Sequence, residues 1–246
     1  MIGQLTTHPM PAVEGKPGTP VLLLHGFCSS SSQDFARTGW PEDLAAAGHP
    51  SYAVDLPGHG DSPAVSSPDD GRTDSVVSAL VRVIEQVIRA SAGDQLDVIG
   101  YSLGARLAWE LPNASGAVRR LVLGGISPAE PFADVDLDQL RSAAAGNTPA
   151  SPMIGMFAGM ITAPGLDAAS LINLIGGLGS EPFDPNSSPP KVPTMIIAGA
   201  DDPMSQGVES LVDVLPEGSL HRVPGDHRGA LDGPEFRRAA VDFLSD

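Results

Sequence analysis

The chain of 246 residues has only one cysteine, Cys28, and this scarcity limits the kinds of site that it can build. A single thiol cannot form an internal disulfide, and it cannot supply the several thiolates of a cysteine-based zinc cluster. The six histidines form no HxxxH pair or similar ligand cluster. The sequence therefore supports no metal site, and no cofactor is expected.

Basic residues are also scarce: 14 Lys and Arg stand against 30 Asp and Glu, which gives a formal net charge of −16. Such a charge repels phosphate backbones and anionic lipid headgroups, so we expect neither a nucleic-acid partner nor a membrane partner. No apolar run reaches the roughly 18–20 residues that a membrane-spanning helix needs. The first residues also lack the basic and apolar regions of a secretory signal, so a soluble cytoplasmic protein is predicted. The oligomeric state stays open.

What is present is an alternation of strand-like and helix-like segments. Six continuous apolar runs, each ended by Gly, Asp or Pro, predict buried parallel strands. They span residues 20–26, 51–56, 95–100, 120–125, 192–199 and 219–224. Apolar residues at three- and four-residue steps predict helices over 73–90, from Ser102 as far as Pro112, and from Pro234 onward. This order predicts an α/β fold in which helices cover both faces of a mostly parallel sheet.

The alternation breaks between residues 128 and 191. This segment is rich in Gly, Ala, Met and Pro and carries no strand signal. We expect it to be an insertion of short helices. The chain is thus predicted to consist of a core, residues 1–127 and 192–246, and an insertion, residues 128–191.

The segment from Gly100 to Gly104 reads G-Y-S-L-G and fits the pattern G-x-S-x-G. A strand-like run leads directly into Gly100, and a helical pattern begins directly after Ser102. A reversal this tight pushes the serine hydroxyl out of the sheet, and glycines on either side allow neighbouring backbone to approach. The motif therefore favours Ser102 as a nucleophile over an inert serine in a glycine-flanked turn.

A serine hydroxyl needs a base, and the base needs a carboxylate to fix its tautomer. Asp201 and Asp202 follow one predicted strand, so their carboxylates should lie at the sheet edge where ligands of α/β proteins gather. His227 follows another strand, in a loop before the last helix. His221 is the rival base, but it lies inside a predicted strand. The pattern favours the order Ser102, then Asp201 or Asp202, then His227.

Two backbone N–H groups are candidates for an oxyanion hole, which stabilises a carbonyl oxygen as it becomes negative. The amide of Leu103 directly follows the predicted nucleophile, and the amide of Phe27 lies in the loop after the first strong strand. His25 is expected to brace this loop by hydrogen bonds. Cys28 is interpreted as a pocket or loop residue and not as a nucleophile.

Together these motifs resemble the α/β-hydrolase family. They are HGF at 25–27, DLPGHGDS at 55–62, GYSLG at 100–104, AGADDP at 198–203 and GDH at 225–227. The resemblance implies the α/β-hydrolase fold, with a mostly parallel sheet of about seven strands flanked by helices. It also implies Ser102 as nucleophile, His227 as base, Asp202 as acid, and the amides of Phe27 and Leu103 as the oxyanion hole.

The chain departs from the family pattern near its start and after the nucleophile. Few residues precede the first strong strand, so the usual antiparallel edge strands should be reduced to one, near residues 4–8. Ala105 occupies a position where many relatives carry a second glycine. The insertion 128–191 lies where family members carry a small helical lid over the pocket.

The lid and the strand ends supply the predicted substrate-binding residues. These are Phe27, Cys28, Tyr101, Met153, Met156, Phe157 and Met160. Apolar and flexible side chains of this kind suit an acyl or alkyl pocket. The alternative is that the lid's apolar residues only bury its own helices against the sheet.

The leading interpretation is a carboxylesterase-like serine hydrolase with a small-molecule ester substrate. GYSLGARLAW and HGF…DF also resemble the pyruvate-eliminating lyase of menaquinone biosynthesis, whose anionic substrate would need basic residues in the pocket. Arg106 and Arg37 are the obvious candidates, and residues 128–180 contain one basic residue, Arg141. A binding scaffold without activity is a third alternative. A serine at position 102 disfavours the aspartate-nucleophile relatives, and a haloperoxidase-like side reaction would use the same triad.

Overall fold

The computed structural model describes residues 2–11 and 17–245. Residue 1, residues 12–16 and residue 246, which the predicted core range includes, lie outside the described residues. Within the described part, no helix is long and apolar enough to cross a membrane.

The centre of the fold is a seven-stranded sheet in the order β1-β3-β2-β4-β5-β6-β7. The strands are β1 (Thr7–Pro9), β2 (Val21–Leu24), β3 (Ser51–Val54), β4 (Leu96–Tyr101), β5 (Val118–Gly124), β6 (Thr194–Gly199) and β7 (Gly218–Val223). All neighbouring pairs are parallel except β1 with β3. The predicted mostly parallel sheet of about seven strands is confirmed, including the single antiparallel edge strand.

Nine α-helices connect and cover the strands in the part of the chain that is described. They are α1 (Trp40–Ala46), α2 (Thr73–Ser91), α3 (Leu103–Ala114), α4 (Leu137–Ala144), α5 (Pro152–Ile161), α6 (Ala168–Ser180), α7 (Glu209–Asp213), α8 (His227–Asp232) and α9 (Pro234–Ser245). Ser32–Ala36 forms a short π-helix and Pro203–Ser205 a single 3₁₀ turn. The predicted helices over 73–90 and from Pro234 are thereby confirmed.

Alternate residues of β2 separate two cores on opposite faces of the sheet. Leu22 and Leu24 pack in the core that also holds α2 and α3, whereas Val21 and Leu23 pack with α1 and α9. All four side chains are fully buried. A strand with both faces covered reads as a continuous apolar run, and this explains why sequence alone could locate it.

The prediction that Pro112 ends its helix is wrong by two residues. α3 runs through Pro112 to Ala114. A proline removes one backbone donor, and near the end of a helix it interrupts few hydrogen bonds. Leu111 is fully buried one residue earlier, so packing holds this last turn on the sheet.

Residues 128–191 contain α4, α5 and α6, which pack against one another. Their buried side chains join the core that holds α2 and α3. α6 is also tied to the loop after β3, because the Val65 N–H donates to Ser170 Oγ at 2.8 Å and Asn173 donates to the Val65 carbonyl at 2.9 Å. The three helices therefore lie on the α2 side of the sheet.

The close approach of α3 to β2 depends on a missing side chain at Gly104. A Cβ atom there would lie 2.0 Å from the Leu24 carbonyl oxygen, whereas a Cβ at Gly159 in α5 would meet nothing within 4 Å.

We expect Gly104→Ala to lower the free energy of unfolding by about 3 kcal/mol or more, because backbone atoms cannot rotate away. Gly159→Ala, also inside a helix, should raise it by about 0.5–1 kcal/mol. Urea denaturation of both variants tests this, and equal stabilities would contradict it.

Candidate active site

The backbone reverses direction at Ser102, between the end of β4 and the start of α3. Ser102 has φ 53° and ψ −115°, a backbone conformation that residues other than glycine rarely adopt. A Cβ at Gly100 would lie 2.5 Å from the Gly104 carbonyl oxygen, so the turn closes only with glycine before it. This geometry lifts the serine side chain out of the sheet, as the G-x-S-x-G pattern predicts.

The predicted acid and base meet at the neighbouring strand ends. Asp202 follows β6 with a fully buried carboxylate, and its Oδ2 lies 2.9 Å from His227 Nδ1. Asp202 also accepts hydrogen bonds from the Met204 N–H and the Ser205 hydroxyl, each at 2.9 Å. Asp201 and His221 are exposed. Of the two carboxylates and two histidines that the sequence left open, Asp202 and His227 are the pair in contact.

The environment of Asp202 favours its charged form. Burial opposes ionisation, but the hydrogen bond and charge of His227 and the two further donors outweigh it, so the pKa of Asp202 is lowered. An ionised Asp202 accepts a hydrogen bond from the N–H at His227 Nδ1. His227 Nε2 is then the nitrogen available for proton transfer.

Tyr101 contacts His227, and Gly125 leaves room for the imidazole ring. The Tyr101 hydroxyl donates to the backbone carbonyl of His227, and its ring packs 5.3 Å from the imidazole. Gly125 has φ 59°, and a Cβ there would lie 2.8 Å from His227 Cε1. Burial and the nearby Asp202 charge raise the pKa of Tyr101, so it stays a neutral hydrogen-bond donor.

Ser102 and His227 line one cavity of about 200 Å³. Within the described part of the chain, Ser102 Oγ makes no hydrogen bond, so it is not committed to a structural partner. The remaining lining residues are Phe27, Leu103, Arg106, Gly125, Ser127, Ala129, Pro131, Phe132, Met156, Phe157, Met160 and Met204. The cavity is therefore largely apolar, with the serine and the histidine as its reactive groups.

The Phe27 and Leu103 amides are available as donors at this cavity. Neither N–H has a hydrogen-bond partner among the described residues, although both residues line the cavity. The peptide that carries the Phe27 N–H is fixed at its other end: His25 Nδ1 donates to the Gly26 carbonyl at 2.7 Å. His25 Nε2 accepts from the Leu56 N–H at 2.9 Å, so the proton must be on Nδ1. His25 thus braces the loop through both ring nitrogens.

Asp34 connects this loop to the helix that carries His227. Its buried carboxylate accepts from the Gly26 N–H at 2.8 Å and from the Ser29 hydroxyl at 2.5 Å. The same carboxylate binds Arg228, the residue after His227, with 2.6 Å between Oδ1 and Nη1. One side chain therefore fixes the positions of the Phe27 loop and α8 relative to each other.

The DLPGHGDS segment, residues 55–62, forms hydrogen bonds to the same loop. His59 Nε2 accepts from the Cys28 N–H, and its Nδ1 donates to the Pro57 carbonyl, both at 3.0 Å. Asp55 accepts from the N–H groups of Ser31 and Asp61 at 2.9 and 3.0 Å. Burial opposes ionisation of Asp55, but these and further hydrogen bonds outweigh it and lower the pKa of Asp55 to about 2.

One group of potential metal ligands occurs in the described ranges, formed by His8, Asp55 and Asp61. His8 Nε2 already lies 3.0 Å from Asp55 Oδ2, and the same carboxylate accepts from the N–H groups of Ser31 and Asp61. These contacts make Asp55 a structural hub of the loop, away from the cavity of Ser102.

Arg106 lines the cavity, but its charge is compensated by Glu130. Arg106 Nε lies 2.7 Å from Glu130 Oε2, and both side chains are buried. Arg106 also donates to Thr73 Oγ1 and to the Glu181 carbonyl, each at 2.9 Å. The pair thus joins α3 to both ends of the 128–191 segment and presents little net charge to the cavity.

The predicted substrate-binding residues divide into two groups. Phe27, Met156, Phe157 and Met160 line the cavity, whereas Cys28, Tyr101 and Met153 do not. Phe132 and Met204 also line the cavity but were not among the residues predicted from the sequence. Phe132 lies in the loop after β5, and Met204 comes two residues after Asp202. The rule that ligand sites collect at the carboxyl ends of parallel strands was the signal that could have found both.

The buried His59 makes stability depend on pH. Burial, reinforced by the nearby His25, lowers the pKa of His59 to about 3, while the unfolded chain has the ordinary value of 6.5. The unfolded state therefore binds a proton below pH 6.5 that the folded state does not, so stability falls as pH falls. At pH 5 this one group should cost about 2 kcal/mol.

Urea denaturation at pH 7.5 and pH 5 measures this loss. His59→Gln, which keeps an acceptor for the Cys28 N–H, should show a smaller loss than the unmodified chain. His221→Gln, at an exposed position of β7, controls for removing a histidine. Equal losses in His59→Gln and the unmodified chain would refute the assignment.

Comparisons with solved structures agree with this architecture. An enol-lactonase from Burkholderia xenovorans LB400 superposes with a TM-score of 0.76 at 14% identity, over 100% of this chain and 98% of that structure. The N-acyl homoserine lactonase AidH superposes with a TM-score of 0.70 at 20% identity, over 100% and 95%. At these identities the likeness concerns the fold.

Sequence comparisons extend the likeness to a family. The 2-succinyl-6-hydroxy-2,4-cyclohexadiene-1-carboxylate synthase of Yersinia pseudotuberculosis serotype O:1b (strain IP 31758) is 32% identical over 106 residues. That stretch is 43% of this chain but only 34% of the synthase. A sequence model of the family described as alpha/beta hydrolase fold matches residues 19–148, more than half of the chain. The chain therefore belongs to the α/β-hydrolase fold family.

Proposed function

We propose that the protein is a serine hydrolase that cleaves a carboxylic ester, or a similar acyl bond, of a small and largely apolar substrate. One observation carries the proposal. The strained Ser102 opens into the same apolar cavity as His227, whose Nδ1 is hydrogen-bonded to the buried carboxylate of Asp202. A binding protein has no need of all three groups in this arrangement.

The chemistry proceeds in two steps. Ser102 Oγ attacks the ester carbonyl carbon while His227 Nε2 takes the serine proton, and the N–H groups of Phe27 and Leu103 stabilise the oxyanion. His227 then gives that proton to the departing alcohol, which leaves an acyl group on Ser102. Water, deprotonated by His227, attacks this acyl-enzyme and releases the acid. Asp202 remains ionised throughout, as its lowered pKa requires.

The composition of the cavity supports a neutral substrate. Phe27, Phe132 and Phe157 supply aromatic walls, and the guanidinium of Arg106 is held by Glu130. In the proposed organisation, residues 1–127 and 192–246 form the hydrolase core and residues 128–191 form the lid. α5 of this lid contributes Met156, Phe157 and Met160 to the cavity. The two structural neighbours are lactonases by name, and a lactone is a cyclic ester.

The second candidate is a lyase reaction like that of the menaquinone-biosynthesis enzyme. The likeness to the Yersinia synthase favours it, since the name of that relative describes a carboxylate. An anionic substrate needs an uncompensated cation in the cavity, and Arg106 is paired with Glu130 at 2.7 Å. We therefore rank ester hydrolysis first.

Active-site labelling and turnover test the proposal together. The protein should react with a fluorophosphonate at Ser102 and hydrolyse short p-nitrophenyl esters. Ser102→Ala should abolish labelling, and Ser102→Ala and His227→Ala should each lower kcat at least about a thousandfold. Asp202→Asn should lower kcat strongly with little change in KM, because the imidazole loses its orienting carboxylate.

His221→Ala serves as the matched control and should retain the activity of the unmodified chain. A larger loss in His221→Ala than in His227→Ala would overturn the choice of base. Full esterase activity in Ser102→Ala would overturn the nucleophile. Labelling of Ser102 without hydrolysis of any ester, together with elimination from a carboxylated substrate, would favour the lyase.

The Asp34 bridge gives a further prediction about kcat. Asp34→Asn keeps the shape of the side chain but cannot accept from Gly26, Ser29 and Arg228 as a charged group. We expect kcat for ester hydrolysis to fall about tenfold or more with KM little changed, because the Phe27 N–H and His227 lose their common support. Arg228→Lys should retain more activity than Arg228→Gln. Asp232→Asn, which alters only the exposed partner of Arg228, is the control.

If Asp34→Asn loses activity only to the extent that a fraction of the protein is unfolded at the assay temperature, the side chain has a folding role alone. Unchanged kcat in Asp34→Asn would show that the bridge does not matter for catalysis. Both results would contradict a positioning role.

A further inference from the structure

Methionine is the residue type of every large hydrophobic side chain that is exposed within the described ranges. These side chains are Met153, Met156, Met160 and Met204, with 38, 54, 36 and 38% of their surface exposed. Exposed apolar groups that cluster at one place mark a binding surface more often than scattered ones do. Three of them, Met156, Met160 and Met204, line the cavity of Ser102 and His227, and Met153 lies on the same helix as Met156 and Met160.

We call these four methionines the rim. Met153, Met156 and Met160 are spaced three and four residues apart on α5 and therefore share a face of the helix. Met156 and Met160 from α5 and Met204 from the 3₁₀ turn after Asp202 line the same cavity. Met153 lies one turn before Met156 and is not a lining residue. The three methionines of α5 span about 10 Å of helix.

The size of the cavity indicates why such a rim is useful. The cavity has a volume of about 200 Å³ and is partly open to the surface, whereas pockets for drug-sized ligands are typically about 300–1,000 Å³. We therefore expect a long chain of the substrate to extend out of the cavity. Any further part of it must lie against the side chains at the mouth.

The segment that carries the α5 part of the rim is also free of charged residues. Residues 142–166, which include α5, contain no Asp, Glu, Lys or Arg, although the whole chain has 44 such residues, 14 basic and 30 acidic. A charged group of the substrate would be desolvated there without a partner, so an apolar group fits best. Methionine adapts to ligands of different shape because it is unbranched and flexible.

We propose that Met153, Met156, Met160 and Met204 form a binding site for a flexible, unbranched apolar chain of the substrate that extends out of the catalytic cavity. This inference rests on the proposed function, since it takes the chain to belong to the ester that Ser102 attacks. It assigns a substrate class: neutral esters with a chain that extends out of the cavity. The net charge of −16 argues against an anionic lipid surface as the occupant.

The test compares two triple variants with equal numbers of changes. The glutamine variant carries Met156→Gln, Met160→Gln and Met204→Gln, and the leucine variant carries leucine at the same positions. Both residues form helices well, and the altered side chains are exposed, so both variants should fold. Glu85→Gln, on the exposed face of α2, is the control for a substitution to glutamine away from the cavity.

The readout is the ratio of kcat/KM for p-nitrophenyl octanoate to that for p-nitrophenyl acetate. We expect the ratio to fall at least about tenfold in the glutamine variant and to change less than about threefold in the leucine variant. Glu85→Gln should give the ratio of the unmodified chain. Equal ratios in the glutamine and leucine variants would overturn the proposal.

A binding measurement separates failure of this inference from failure of the proposed function. Fluorescence titration with dansyl-octylamide requires no turnover, and the Kd should rise at least about tenfold in the glutamine variant only. If neither ester is hydrolysed but this difference in Kd appears, the hydrolase assignment is wrong and the rim still binds a chain. If esters are hydrolysed and both Kd values agree, the rim assignment is wrong.

Two further outcomes would identify a different occupant of the rim. Sedimentation with phosphatidylcholine vesicles that depends on the methionines, without a change in the ester ratio, would indicate a lipid surface and overturn the proposal. A methionine-dependent dimer in size-exclusion chromatography, again without a change in the ratio, would indicate a second copy of the chain and would also overturn it.

Discussion

The site depends on one constraint, the reversal of the backbone between β4 and α3 at Ser102. The reversal needs positive φ at a residue that is not glycine, and this costs about 1–3 kcal/mol that the surrounding structure must supply. Glycines make the contacts around it feasible, since a Cβ at Gly104 would lie 2.0 Å from the Leu24 carbonyl oxygen, and a Cβ at Gly100 would lie 2.5 Å from the Gly104 carbonyl oxygen. The serine, the Leu103 amide and the loop after β2 are therefore positioned by one packing arrangement.

The loops around this turn are held by polar groups that are buried and satisfied. His25 and His59 each use both ring nitrogens on backbone groups, and burial keeps them neutral because it lowers the pKa of both. Asp34 accepts a hydrogen bond from the Gly26 N–H, and Asp55 accepts from the N–H groups of Ser31 and Asp61. Such networks are rigid because breaking any member leaves a buried group without a partner. This network fixes the orientation of the Phe27 N–H through the hydrogen bonds of the Gly26 N–H and carbonyl.

The sequence was sufficient for the strands because buried strands and their glycine-rich ends leave local patterns. The Asp202–His227 contact could be predicted from the order of strand ends, since parallel strands bring their carboxyl ends to one edge. The end of α3 could not, because packing of Leu111 overrides the effect of a proline near a helix end. Pairing over long separations also leaves no local pattern. Arg106 was a candidate cation under the lyase alternative, and only the structure reveals Glu130 beside it.

The thioethers at the cavity mouth have a chemical consequence of their own. Hydrogen peroxide converts a thioether to a polar sulfoxide with loss of water, and exposed sulfur reacts first. Met156, with about half of its surface exposed, would be among the first targets. Cys28 would be spared, because burial raises the pKa of its thiol to about 12 and keeps the reactive thiolate rare. Oxidative ageing would thus make the entrance hydrophilic while Ser102 and His227 stayed chemically intact.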